Sequence, residues 1–427
     1  MNWYLFVLML GLAVAGVFFI RSATNQSDAA EMQVAAGQQR MWLIVGLVLF
    51  FVVSLTNYEF ILRIGPLIYA ASLLLLVAVL FIGHEVNGAK SWIRFAGVGI
   101  QPIEFSKVAY VIGLSWLLLS MSEHVKKLWF LIGAVGVTAC LPILLIMRQP
   151  DLGGAAVFMP ITFCLLWVGG ASKRYLMIPV LAAVFGGLFG YLVIYKAQWD
   201  GTLQGLPKAT VDAVFLPFHK KDKPDDAVPK APFVPLSTKK PEKGEPEPTE
   251  SKEKVLLKSY QLNRIKTFFN PDLDPLGAAW TIRQSLIAIG SGGLKGKGYL
   301  KGDQNIYGFL PKNIAYNDFI FSVIGEECGF VGSSIFVICE GLLIMGMLSV
   351  ASRSKDMGGA LLAAGMAGMF FAHYFENVGM TIKVLPITGI PLPFTSYGGS
   401  FLVACMIGMG LVQSVWIHRR DYYEKQF

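Results

Sequence analysis

The chain has 427 residues, of which 54% are hydrophobic and 15% charged, with a formal net charge of +8. A soluble domain keeps about a quarter of its residues charged, so this chain lacks the polar surface to face water all round. The length divides better into bilayer spans of ~20 apolar residues than into soluble domains, and basic loops facing anionic lipid account for the positive charge better than nucleic acid does.

In chain order, apolar runs predict spans at 3–21, 41–57, 66–83, 103–121, 129–147, 154–170, 176–196, 319–349, 358–379 and 400–418. The expected fold is an all-α integral membrane protein of about ten transmembrane helices, with a large extracytoplasmic loop between helices 7 and 8. The first run has no basic stretch before it and no small-residue cleavage site after it, so it reads as a retained span. The eighth is long enough to tilt or kink, and Gly325 and Gly329 offer places for that. Cys140, Cys164, Cys328, Cys339 and Cys405 nearly all lie inside apolar runs without a CxxC pair, and read as buried small hydrophobes. Neither a disulfide framework nor a metal site is expected.

Arg63, Lys126 with Lys127, Lys173 with Arg174, Arg353 with Lys355, and His418 to Arg420 follow spans two, four, six, eight and ten. The positive-inside rule therefore places that side and both termini in the cytoplasm. The chain divides into helices 1–7 (residues 1–196), the large loop (197–318), helices 8–10 (319–418) and a cytoplasmic tail (419–427). Within the loop, about 219–254 is rich in Pro, Lys and Glu and reads as a disordered insertion. Residues 260–318 are Gly-rich and motif-bearing.

The extracytoplasmic side holds segments 22–40, 84–102, 148–153, 197–318 and 380–399, with nearly every polar cluster that topology leaves unexplained. In Gly88–Lys107, an exposed loop carries Lys90, Trp92 and Arg94 to the interface before Pro102 opens span four. Glu104 and Lys107 share one face of that helix, either as a structural ion pair or lining a polar cavity, because charges facing lipid are costly. In Arg148–Ala155, Asp151 suits a helix N-cap as well as a site, and Arg148 is an anion ligand or a partner for Asp151. Ile287–Gln304 joins Gly-rich backbone to Lys295, Lys297 and Lys301, suited to phosphate or simply to a loop near headgroups. It is not a Walker A loop. In Phe309–Gly329, Asp318 stands where span eight begins, as an N-cap or as the acid beside the Gly/Lys loop. Glu326 and Glu327 read as inward-facing structural groups. Val384–Ser400, with three prolines and three glycines, forbids a regular helix. A re-entrant loop shaping a cavity, with Ser396 among its polar groups, satisfies the rule that irregular backbone at membrane depth is packed in protein or wet.

Taken in order, "GAKSWI", "QPIEFSK", "RQPDLG", "QLNRIKTFFNPDLDPLG", "QSLIAIGSGG", "NDFIF" with "GEECG", and "GMTIKVLPITGIPLPFTSYGGS" resemble the SEDS family (shape, elongation, division and sporulation) of bacterial polytopic glycosyltransferases. The likeness runs from about Gly88 to the end of span ten, and "GKGYLKG" and "GMTI" favour the RodA branch. The resemblance implies a ten-helix protein of the bacterial cytoplasmic (inner) membrane, with an extracytoplasmic active site. It implies an inverting peptidoglycan glycosyltransferase that polymerises lipid II into β-1,4 glycan strands for cell elongation and rod shape. It also implies a class B penicillin-binding protein as partner, membrane lipid around it, and no nucleic acid. Asp318 occupies the position of the family's essential carboxylate, which makes it the expected catalytic base. Trp92, Glu104, Lys107 and Asp151 match further motif positions. With Arg94, Arg148, Lys295, Lys301 and Ser396 they form the expected substrate-binding set. No cofactor is certain, and a divalent cation (Mg or Mn) is a candidate for the pyrophosphate charge. Two departures stand out: Ile314 to Asn317 replace the family's acid-His-Thr run, and ordinary members lack the insertion. Two rival readings are a lipid II flippase, with Glu104 and Lys107 lining a pathway, and a non-catalytic scaffold.

Overall fold

A computed structural model describes residues 1–25, 34–86, 89–95, 98–177, 264, 267, 268, 274 and 277–419. Its long helices are α1 (Trp3–Thr24), α2 (Ala35–Leu55), α3 (Gly65–Ile82), α4 (Pro102–Ser120), α5 (Leu128–Met147), α6 (Leu152–Val168), α7 (Ala278–Ser291), α8 (Ile320–Ser352), α9 (Met357–Thr381) and α10 (Gly399–Ile417). Among the described residues, 8 helices are long and apolar enough to cross a membrane, and α6 is a shorter apolar helix. Nine of the ten predicted spans thus coincide with helices. Of the seventh, 176–196, only the first two residues are described, in a helical turn at 173–177, and the insertion at 219–254 lies outside the described residues. The amphipathic α7 falls within residues 197–318, the segment expected to form the large loop.

The helices sort into shells. α4, α9 and α10 are innermost, 72%, 78% and 83% buried, whereas α3 and α5 are only 22% buried. The outer helices turn Val7, Ile44, Leu67, Leu74 and Phe81 outward, an apolar surface that a bilayer covers and water would not tolerate. Small residues let the inner helices approach. A Cβ on Gly365 would strike Val111 and Leu165, and one on Gly368 would press on Cys164. All five cysteines are free thiols; Cys405 is buried, but Cys140 is exposed on the outer shell.

α8 breaks at Gly329 (φ 65°, ψ −165°), one of the two glycines expected to permit a kink. There the helix ladder is exchanged for the Gly-rich loop. The N–H groups of Phe330 and Val331 donate to the carbonyls of Gly293 (2.8 Å) and Leu294 (3.1 Å). The carbonyls they leave, Glu326 and Glu327, accept from Lys297 N–H (3.0 Å) and Gly298 N–H (2.9 Å). The two displaced N–H groups and the two freed carbonyls are thus all paired, as burial in a membrane protein demands.

The segment expected to be a plain exposed loop instead folds into a three-stranded antiparallel sheet in the order β1 (His84–Val86), β2 (Ala89–Phe95), β3 (Val98–Ile100). Asn87-Gly88, between Val86 and its partner Ala89, has the composition of a two-residue hairpin turn, a signal the apolar-span reading passes over. The expected all-α class therefore holds for the membrane part, with one small sheet outside it. Ser400 ties this sheet to α10: its hydroxyl accepts from Gln101 N–H (3.2 Å) and donates to Gly99 O (3.2 Å).

Candidate active site

Asp318 precedes α8 without capping it. Phe319 is the N-cap residue, and no side chain caps that end, so the N-cap alternative is set aside. The carboxyl is instead half-buried, in a segment whose three successive backbone carbonyls are each caught by the chain beyond it. Tyr316 O accepts from Tyr397 N–H (3.0 Å), Asn317 O from the Ser396 hydroxyl (2.5 Å), and Asp318 O from the Asn377 amide (2.8 Å). These donors belong to α9 and to the 382–398 loop that follows it.

That loop is held in turn. Asn377 also donates to Ile390 O (2.8 Å), Leu392 N–H donates to Ser396 Oγ (2.8 Å), and Gln39 of α2 donates to Ser396 O (3.1 Å). Gly389, at φ +75°, lies where a Cβ would stand 3.3 Å from an Arg264 guanidinium nitrogen and 3.4 Å from Asp318 Oδ2. Glycine is needed there both for the left-handed backbone and for the approach of acid and base. Arg264 is anchored by a hydrogen bond to Ile387 O (3.3 Å).

Burial raises the Asp318 carboxyl to about 7; the Arg264 charge pulls it down and the Asp151 charge pushes it up. Asp151 caps α6 as one reading expected, accepting from Gly154 N–H at 2.7 Å, and its charge also bears on Asp318. Of the two alternatives, the cap is the one the hydrogen bonding shows.

Glu104 and Lys107 form the expected pair. Lys107 Nζ lies 3.0 Å from both Glu104 oxygens and 2.9 Å from His373 Nε2, and is 1% exposed. Ser396 is equally sealed and spends its hydroxyl on the backbone. Neither side chain offers a free donor to a ligand. Trp92 is half-buried, its ring lying over Gly99, where a Cβ would come within 3.2 Å. Arg94 shares its face of β2 and is exposed. Arg148 is exposed and forms no ion pair with Asp151.

The Gly-rich loop corrects another expectation. Its N–H groups at Gly296, Lys297, Gly298 and Lys301 all have backbone partners, so they make no phosphate cradle. Lys297, whose charge had suggested an anion site, bridges Glu326 (2.6 Å) and Asp303 (3.0 Å). Burial opposes its charge, but these bonds outweigh burial and raise its pKa. Lys295 and Lys301 are exposed. Among the described residues, no three His, Cys, Asp or Glu side chains are grouped to hold a metal.

His373, Glu376, Asn377 and Arg264 were missed by the sequence reading. The first three fall at i, i+3 and i+4 of α9, a polar stripe within an apolar span. Such a stripe facing lipid would be prohibitive, which was the available signal. Arg264 stands inside the "QLNRIKTFFNPDLDPLG" motif, which marks the stretch without singling out the residue.

Residues 2–201 and 251–421 match the model of FtsW/RodA/SpoVE, described as a cell cycle protein. The peptidoglycan glycosyltransferase RodA of Treponema pallidum is 37% identical over 427 residues, covering 97% of each chain. The peptidoglycan glycosyltransferase MrdB of Escherichia coli is 31% identical over 416 residues, covering 97% of this chain and 93% of MrdB. A chain from a peptidoglycan synthase complex, solved to show how polymerization and crosslinking are coordinated, superposes with a TM-score of 0.67 at 25% identity, covering 98% of both chains. The rod shape determining protein RodA of Thermus thermophilus shares the fold, with a TM-score of 0.60 at 23% identity over 99% of this chain and 97% of that one.

Proposed function

The chain belongs to the FtsW/RodA/SpoVE family of cell cycle proteins, and from that premise we propose that it is a peptidoglycan glycosyltransferase polymerising lipid II into β-1,4 glycan strands, with Asp318 as general base. The observation that carries the reading is the state of Asp318. It is a half-buried carboxyl, free of any capping duty, fixed through its backbone and held near 7. A general base is most effective when its pKa lies near the working pH.

In the reaction, the Asp318 carboxylate takes the proton of the acceptor sugar's 4-hydroxyl. The oxygen forms a bond to the donor's anomeric carbon while the bond from that carbon to pyrophosphate breaks, and undecaprenyl pyrophosphate leaves with the electron pair. One displacement inverts an α-linked donor into a β linkage, and one base is sufficient. The growing charge on pyrophosphate calls for cations. Lys107 is committed to Glu104 and His373, so this work falls to exposed groups such as Arg94, Arg148, Lys295 and Lys301, or to a divalent cation brought with the substrate's own phosphates.

The likeness to a chain of a peptidoglycan synthase complex supports a class B penicillin-binding protein as partner. The RodA relatives support a role in elongation and rod shape. The basic loops support a cytoplasmic-membrane orientation with both termini inside and Asp318 outside.

The test is polymerisation of fluorescent lipid II by full-length wild type and Asp318→Asn, each purified with the partner transpeptidase. The variant should lose roughly 10²–10⁴-fold in rate; polymer at the wild-type rate would end the general-base assignment.

A further inference from the structure

Two charges sealed inside a membrane protein are costly, and retaining them needs a reason beyond each other. A lysine ammonium has three protons. Here they point at two oxygens of Glu104 and at His373 Nε2. Nε2 must therefore accept, which places the imidazole proton on Nδ1. Nδ1 lies 3.2 Å from Pro391 O, in the 382–398 loop. One turn further along α9, Asn377 donates to the adjacent carbonyl, Ile390 O, and to Asp318 O (2.8 Å each). His373 and Asn377 are both 0% exposed. Two hydrogen-bonded segments, joined by the covalent backbone between Ile390 and Pro391, thus run from the ion pair on α4, through the α9 stripe, to the peptide of Asp318.

We infer that His373 and Asn377 are positioning residues that fix Asp318 against the buried Glu104–Lys107 pair, and that this pair acts through them and not on the substrate. The inference rests on Asp318 being the base. Lys107 supplies a donor whose direction is set by Glu104, and His373 turns that fixed donor into a fixed grip on Pro391. The 390–397 stretch then holds the carbonyls of Tyr316 and Asn317 through Tyr397 and Ser396, while Asn377, bonded to the same stretch at Ile390 O, holds that of Asp318. A strut of this kind governs the geometry of the reacting atoms, where an error near 1 Å costs roughly 10²-fold.

The test compares His373→Leu, which removes both contacts, with His373→Gln, whose amide offers one acceptor for Lys107 and one donor for Pro391 O. It uses the full-length chain purified with its transpeptidase. His373→Leu should lower kcat for lipid II roughly 10- to 100-fold with KM unchanged, and Gln should recover most of the loss. In an Asp318→Asn background, Leu should cost nothing further, because there is no base left to position. A rise in KM at constant kcat would overturn the inference and make Lys107 a substrate ligand. Equal loss in Gln and Leu would overturn it too. Asn377→Ala cuts the line beyond His373, and decides the matter by the same kcat and KM criteria if the Leu protein fails to fold. Amide exchange at Tyr397, the donor to Tyr316 O, gives a readout independent of chemistry. It should quicken in His373→Leu and not in Gln. If Asp318→Asn polymerises normally while this exchange pattern holds, the base assignment has failed and the strut stands. Unchanged exchange in the Leu variant removes the strut itself.

Discussion

At the scale of single residues, the acid–base behaviour of Asp318 is set by opposing neighbours. Burial does most to raise it, Asp151 adds to the rise, and Arg264 works against it. If ionised Asp318 is the active form, the rate climbs with pH through about 7 and then levels. Replacing Asp151 by Asn keeps a competent helix cap but removes the negative charge, so the climb should move to lower pH. Arg264→Gln removes the stabilising cation and should move it higher. Opposite displacements in pH–rate profiles of the two variants would confirm the assignment; displacement in the same direction would refute it. Part of this arrangement was legible in the primary structure. Asp318 and Asp151 announced themselves by standing at span boundaries, and Glu104 with Lys107 by their spacing. The alternatives offered for each were harder to separate, because capping, pairing and catalysis use the same side chains. Only the identity of the N-cap at Phe319 and the bond to Gly154 N–H distinguish them.

At the scale of elements, the Gly-rich loop and the α8 break are two halves of one joint. Gly329 can take no side chain: its φ is positive, and a Cβ would come 2.2 Å from Gly296 N. Gly329→Ala should therefore destabilise the protein by roughly 2–4 kcal/mol, from backbone strain and overpacking together. Gly290, in α7, has nothing within 4 Å, and its replacement by Ala should be neutral or slightly stabilising. Thermal unfolding in detergent, run side by side, reads the difference; equal effects would show that the joint is not the reason for the glycine. This joint explains why glycines and lysines together suggested phosphate. Glycine density reports close approach of backbone, and here the approaching partner is another part of the same chain. Hydropathy finds a helix because its signal is local. It does not find which helix a loop will splice into, nor the small sheet before α4, whose Asn-Gly signal lies between short strands.

At the scale of the whole molecule, the gradient of burial from α3 and α5 inward to α10 identifies the solvent as lipid. Counting apolar spans predicts the shell, and basic loops predict its orientation. Alkaline phosphatase fused after Lys301 should be active, and the same enzyme fused after Lys355, between α8 and α9, should be inactive. The reverse pattern would invert the molecule and place Asp318 on the wrong side for an extracytoplasmic polymer. What the shell encloses is less readable, because a lone His or Asn inside an apolar run barely changes the average hydropathy while deciding how the interior is wired.

The three backbone carbonyls of residues 316–318 are all caught by positions 377–397. The register of the base is therefore written downstream of it, within one short stretch of chain. Sequence length can accumulate upstream without changing which backbone oxygen meets which donor, and closing a longer loop costs only about 0.6 kcal/mol per doubling. A lineage could lengthen, shorten or decorate that upstream connection for purposes of its own, and the carboxylate would keep its address.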